Sequence, residues 1–406
     1  MIRISRRAAL GALAAAPLAR PAILRAQSSS KPVRIGLLSD LTGPYRDDGG
    51  PGDMVTAKMA VEDFGGSVLG SPIEILQADV QNKPEIAAAK GRQWIDDEGV
   101  DALADGAASS SGLAIQQISR EKKRIYMAAD PAATDFIGKQ CSPYGFQFVY
   151  DTYALAKGTG GELTKAGGNT WFFITVDYAF GYSLEENTSR FVKEAEGKVL
   201  GSVRVPLGTA DFSSYLVRAK ASGAKVIGLA NAGTDLQNCI KQAAEFGIAK
   251  GGQRLATLLM AIADVKALGQ DVCQGLVLTN SFYWDLDQKT RDWTKRFNQS
   301  IDEPPTMQRA GCYAAVLHYL KAVKAVGTVD ADAVAAKMRE TPVNDFYNTN
   351  VRIDPNGCVR HTMYVWEVKP SSEAKHRWDY YKPVATMDGE HAFPPPAMFG
   401  CPLVHA

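Results

Sequence analysis

Two hydroxyl-rich loops hold the residues best suited to chemistry. The stretch "DGAASSSGLA" (105–114) puts Ser109 and Ser110 where an apolar run gives way to a helical pattern, and "DPAATDF" (130–136) puts Ala132 and Thr134 at a second such junction. A serine at that point can simply cap the helix. The same hydroxyls, with the free N–H groups of a helix start, also make a site for an anion such as a carboxylate. A third set, "DYAFG", "ANAGTD" and "SFYWDL", supplies Tyr178, Phe180, Asn231, Tyr283 and Trp284. Aromatic residues at strand ends are often core packing, but several along one sheet edge also suit a pocket wall. The chemistry on offer is recognition of a small molecule rather than its conversion.

Reactive machinery is scarce. "GGPGDMV" has Gly50 and Gly52 but Val55 where a dinucleotide fingerprint needs its third glycine, and Pro51 removes a backbone donor. It reads as a turn feeding a helix. Phosphate-loop, nucleophile-elbow and HExxH patterns do not occur. The five histidines are His318, His361, His376, His391 and His405, so a serine–histidine or cysteine–histidine mechanism would have to borrow one from the last quarter of the chain. No enzymatic activity, cofactor or metal is expected.

The elements that must position these loops follow from length and periodicity. At 406 residues the chain suggests two domains, and 46% apolar with 22% charged residues supplies ordinary cores. A formal charge of +1 without runs of like charge leaves no footprint for nucleic acid or a membrane surface. The start, "MIRISRRAALGALAAAPLARPAILRAQ", reads as an export signal: Arg3, Arg6 and Arg7, then an apolar stretch too short to span a bilayer. The pair Arg6-Arg7 followed by Leu10 resembles a twin-arginine signal, with an ordinary secretory signal as the alternative. Its removal takes five arginines and leaves about −4 by count. The mature protein is expected outside the cytoplasm.

From "VRIGLLS" onward, strand-like and helix-like segments alternate through "RIYMAAD", then restart at "YDTYALAKGTGGELTKAG" and continue to "GLVLTNSFYW". Repeated alternation of this kind implies parallel sheets with helices on both faces. Mainly helical segments follow Trp284, then two short strand candidates, "NVRIDP" and "TMYVWEVK", and an end read as an extended surface tail. Six cysteines, none in a CxxC pair, permit fifteen full pairings. One bond, between Cys141 and Cys401, would tie the tail to the first unit; free buried cysteines are the rival reading.

The order and spacing of "VRIGLLSDLTGPY", "GPGDMVTAKMAVEDFGG", "ASSSGLA", "DPAATD", "DYAFG", "AKVIGLANAGTD" and "PTMQRAGCYAAVLHYLKAV" resemble the extracytoplasmic solute-binding proteins of branched-chain amino-acid-type ABC transporters. The resemblance implies the type I periplasmic binding protein fold: two doubly wound parallel-sheet lobes joined by a three-segment hinge, with crossings near "FQFVYDT", "TNSFYW" and "TMYVWEV". It divides the chain into an export signal (1–26), lobe one (31–148 with 285–362), lobe two (149–284 with 363–370) and a C-terminal tail (371–406). It implies a periplasmic monomer that binds a small carboxylate in the cleft and delivers it to an ABC permease. A branched-chain amino-acid binder and a ligand sensor for a membrane receptor share that fold, and an exported enzyme is the competing class. By resemblance, Tyr45 lies on the lip over the ligand. Ser109, Ser110, the backbone of Ala132, and Thr134 hold its carboxylate, while Phe180, Asn231, Tyr283 and Trp284 come from lobe two. Amino-acid binders of the family usually have Tyr where this chain has Phe180, and an acid where Thr257–Met260 has none; Asp264 and Asp235 are the nearest substitutes. The expected ligand is therefore a carboxylate without an α-amino group, an aromatic acid ahead of an aliphatic one.

Overall fold

The computed structural model describes residues 31–404; the expected export signal lies outside them. The first apolar run forms β1 (Val33–Ser39) at the middle of a six-stranded sheet. Nearly every residue in it is buried, as expected of a strand covered on both faces. In order across the sheet lie β2 (Ser67–Val68), β3 (Ser71–Asp79), β1, β4 (Ala102–Asp105), β5 (Ile125–Ala128) and β6 (Gly145–Gln147), all parallel except the short β2. The intervening helices are α1 (Pro51–Phe64), α2 (Pro84–Asp96) and α3 (Ser109–Lys122). Both α1 and α2 begin with a proline in the first turn, where its missing N–H costs nothing.

The second unit opens with α4 (Thr152–Leu155) and α5 (Gly161–Lys165), separated by a π turn over Ala156–Gly160. There follow β7 (Thr170–Val176), α6 (Ala179–Glu194), β8 (Lys198–Val205), α7 (Ser213–Ala221), β9 (Val226–Ala230), α8 (Gly233–Glu245), β10 (Arg254–Thr257), α9 (Ile262–Leu268) and α10 (Gln270–Cys273). Its parallel sheet runs β10-β9-β7-β8.

A third, antiparallel sheet joins β11 (Val277–Asn280), β12 (Met363–Val368) and β13 (Tyr381–Met387). Leu278, Trp366, Val368 and Tyr381 of this sheet sit in the core of the second unit. Between β11 and β12 the chain forms α11 (Gln288–Phe297), α12 (Met307–Val326) and α13 (Ala331–Glu340), and α12 lies along α1 of the first unit. Among the described residues no helix is long and apolar enough to cross a membrane.

The crossings are fixed by buried polar contacts. Residues 148–151 lead from β6 into α4; there the Phe148 carbonyl sits 2.6 Å from His361 Nε2, whose Nδ1 is 2.8 Å from the Asn348 amide oxygen. The hydroxyls of Thr159 and Thr279 meet at 2.8 Å, joining the π turn to β11. A side chain at Gly158 would collide with Thr279, so the turn needs glycine there. Burial lowers the pKa of both His318 and His361 to about 4. A ring nitrogen of each faces a backbone carbonyl, so the two histidines nearest to the domains are structural.

The terminal stretch is more than an extended tail. It contributes β13 to the third sheet, caps α14 (Gly389–Ala392) with Asp388, and is bonded to the first unit through Cys141–Cys401, with Cα atoms 5.7 Å apart. Phe399, two residues earlier, packs edge-on against Tyr153 of α4 at 6.2 Å and under the Arg190 guanidinium of α6. Cys239, Cys273, Cys312 and Cys358 are buried and free. Thiol titration of the mature protein should detect none in the native state and four after denaturation without reductant. Breaking the Cys141–Cys401 bond should lower the unfolding free energy by about 2–5 kcal/mol, read as a fall in melting temperature; six thiols after denaturation would remove the bond from the account.

Candidate functional site

In each parallel sheet the strand order reverses around one strand: β1 has β3 on one side and β4 on the other, and β7 lies between β8 and β9. The loops leaving such a switch point part to opposite faces and leave a crevice at the carboxyl ends of the strands. Here the two crevices face each other across one shared pocket, in which the lobes leave only about 10 Å³ free. The loop after β1 contributes Tyr45 and Asp48, that after β4 Ala107 and Ser109, and that after β5 Asp130 and Ala132. Tyr150 comes from the first crossing. The second unit adds Tyr178 and Phe180 after β7, Ala232 after β9 and Leu259 after β10.

The lip is shaped by one buried carboxylate. Asp40 accepts hydrogen bonds from the backbone N–H of Gly43 (2.6 Å) and of Tyr45 (2.9 Å), and from the Asn82 amide at 2.5 Å. The Asn82 carbonyl in turn accepts from Ala108 N–H at 3.2 Å, so the loops after β1 and β4 are held in one frame. Tyr45 then reaches the other lobe, its hydroxyl 2.8 Å from that of Tyr178. Pro44 does the same through its backbone, its carbonyl accepting from Thr234 N–H at 3.0 Å. Gly233, with φ of +56°, makes that approach possible, because a Cβ there would collide with the Pro44 carbonyl oxygen.

Two acids face the cavity. Thr306, the N-cap of α12, donates its hydroxyl to the Asp48 backbone carbonyl and so sets the position of that residue. Among the described residues the Asp48 carboxylate has no hydrogen-bond or ion-pair partner, although the residue is only 3% exposed. Burial, then the charge of Asp264, pushes its pKa well up, against a smaller opposing effect of Arg309. That arginine is directed elsewhere, with Nη1 on Glu303 and Nε donating to the Gly49 carbonyl at 3.2 Å. Asp130 is also pushed up, by burial and then by Asp48. Tyr150 donates to the Asp130 backbone carbonyl at 2.8 Å and lies 3.3 Å from its carboxylate. Among the described residues no lysine, arginine or histidine lines the cavity.

Of the residues expected from sequence, Tyr45, Ser109, Ala132 and Phe180 line this space. Ser110 does not, being one position further along α3. The Ser109 hydroxyl oxygen accepts from the N–H groups of Ala132 (3.1 Å) and Ala133 (3.2 Å), which satisfies both N–H groups. Thr134 lies in a seam between the lobes, where its N–H and hydroxyl both meet Ser183 Oγ of α6 at 3.1 Å and Asn187 joins through Thr152. Asn231 is buried behind its neighbour Ala232. Tyr283 and Trp284 follow β11 into the third sheet's aromatic cluster, with Tyr283 5.1 Å from Trp366 and 5.0 Å from Tyr381, and both side chains donating to the Trp378 carbonyl. Leu258 and Met260 point into cores on either side of Leu259. Asp264 is engaged with Ala261 N–H and Gln237, and Asp235 with Gly208 N–H.

The sequence reading did not pick out Asp48 and Asp130. Each sits in a turn ("RDDGG", "DPAA") where aspartate is common for its own hydrogen bonding, and only the position at a strand end could have marked them. The acids that were singled out, Asp264 and Asp235, lie behind the wall.

Residues 32–375 match the family model described as periplasmic binding protein. A periplasmic binding protein from Burkholderia mallei superposes with a TM-score of 0.88 at 49% identity, over 90% of this chain and 96% of that one. A branched chain amino acid ABC transporter periplasmic ligand-binding protein from Burkholderia xenovorans LB400 gives 0.81 at 36% identity, over 91% and 99%. A solute binding protein of an ABC transporter from Rhodopseudomonas palustris BisB5, in complex with 3,4-dihydroxy benzoic acid, shares the fold at a TM-score of 0.79 and 19% identity, over 89% and 98%. With its two facing switch points, interlobe pocket and family match across most of its length, the chain belongs to the periplasmic binding protein family.

Proposed function

We propose that this protein captures a small solute between its lobes in the periplasm and presents the closed form, as a monomer, to the membrane permease of an ABC importer. The observation that carries this reading is the interlobe pocket itself: both lobes line it, and Tyr45–Tyr178 and Pro44–Thr234 bridge it with contacts that exist only when the lobes meet. Hinge closure around a ligand is the established behaviour of periplasmic binding proteins.

The descriptions of proteins of the same fold name 3,4-dihydroxy benzoic acid for the Rhodopseudomonas protein and a branched chain amino acid transporter for the Burkholderia xenovorans protein. In either case Ser109, Ala132, Tyr45 and Phe180 would face the cargo, and Thr134 would act on closure through Ser183.

Closure makes the reading testable. Gly233→Ala introduces the collision with Pro44 and a left-handed alanine costing about 1 kcal/mol, and the affected residue is free of Pro44 when the lobes part. Small-angle scattering should show wild-type protein compacting with a cognate solute, while the variant stays extended and binds at least ten-fold more weakly in calorimetry. Unchanged affinity and compaction in Gly233→Ala would remove the roof contact from the mechanism.

A further inference from the structure

Building on the capture reading, we infer that the solute is a small organic cation, an amine or quaternary ammonium group, received by Asp48 and Asp130 under the rings of Tyr45, Tyr150, Tyr178 and Phe180. Among the described residues the cavity contains two carboxyl groups and no basic side chain. Asp48 is almost wholly buried, faces the space and has no partner among the described residues. An ionised group left in that state is very unfavourable, whereas an arriving cation supplies the missing counter-charge. The nearest protein cation, Arg309, is already held by Glu303 and the Gly49 carbonyl. The surroundings add negative charge: Asp40, Asp53 and Asp105 lie behind the cavity in lobe one, and Asp264 and Asp235 lie behind its wall in lobe two.

Anion recognition has little to work with by comparison. Of the donors that could hold a carboxylate, Ala132 N–H already donates to Ser109 Oγ and Thr134 is bonded to Ser183, which leaves the Ser109 O–H. A carboxylate would enter between two acids. The four aromatic residues of the lining suit a cation, because ring faces attract cations. Burial raises the pKa of both acids, the direction expected of carboxyls awaiting a positive partner.

The test uses the full mature chain in calorimetry and thermal-shift assays. The probes are tetramethylammonium, choline and isobutylamine; their neutral counterparts neopentyl alcohol and isobutyl alcohol; isobutyrate and benzoate; and leucine. The ammonium probes should bind tightest. Asp48→Asn and Asp130→Asn should each weaken them at least ten-fold while the ligand-free variants melt at or above the wild-type temperature, which separates lost recognition from lost folding. Tighter binding of any neutral, carboxylate or zwitterionic probe than of every ammonium probe overturns the inference and leaves solute capture standing. Ammonium binding untouched by both variants also overturns it. Absence of any response across all classes counts against the inference and the capture reading together.

Discussion

The Asp40 carboxylate is the contact on which the site depends. It sits at the end of β1, 1% exposed, and gathers the N–H groups of Gly43 and Tyr45 and the Asn82 amide around itself. A carboxylate accepting several N–H bonds is a strong and directional anchor. Because Asn82 carries the connection on to Ala108, the loops at both sides of the switch point share one reference point. Tyr45 can then project to Tyr178 without a long flexible loop, and Asp48 is set three residues further on. Between them these contacts turn a sheet edge into half of a binding site.

Much of this organisation was legible in the sequence. Strongly apolar runs such as "VRIGLLS" and "TWFFITV", separated by helical stretches, specify buried parallel strands without reference to anything distant. Residues that follow those strands inherit their place, which brings Ser109, Ala132 and Phe180 to the cleft, while Tyr45 was placed by the family resemblance. Tyr283 and Trp284 follow a strand as well, but β11 belongs to a sheet built with β12 and β13 from far along the chain, and no local pattern announces that pairing. The terminal strand escaped for the same reason: "YKPVATM" carries Pro383 and a lysine and looks like tail until β12 is there to pair with it. The bond between Cys141 and Cys401, one of two open readings, is present.

The polar contacts between lobes are of two kinds with different mechanical roles. At the cleft mouth, Tyr45–Tyr178 and Pro44–Thr234 are single contacts across the roof. Deeper, Thr134, Ser183, Thr152 and Asn187 form a connected hydroxyl–amide seam. Hydroxyls exchange a protein partner for water at small net cost, so such a seam can part and re-form while keeping the lobes in register. The crossings differ: the Phe148 carbonyl is held by a buried His361 that also holds Asn348, an arrangement that water could not easily replace.

The terminal strap has a consequence for motion. Three chain crossings at one edge of two bodies leave rotation about that edge almost unrestrained in amplitude. A fourth tether changes this: Cys401 is covalently fixed to the first lobe, and Phe399 rests on Tyr153 and Arg190 of the second. Parting of the lobes must carry this strap along or separate Phe399 from Tyr153 and Arg190. The Cys141–Cys401 bond thus ties the end of the chain into the relation between the two lobes.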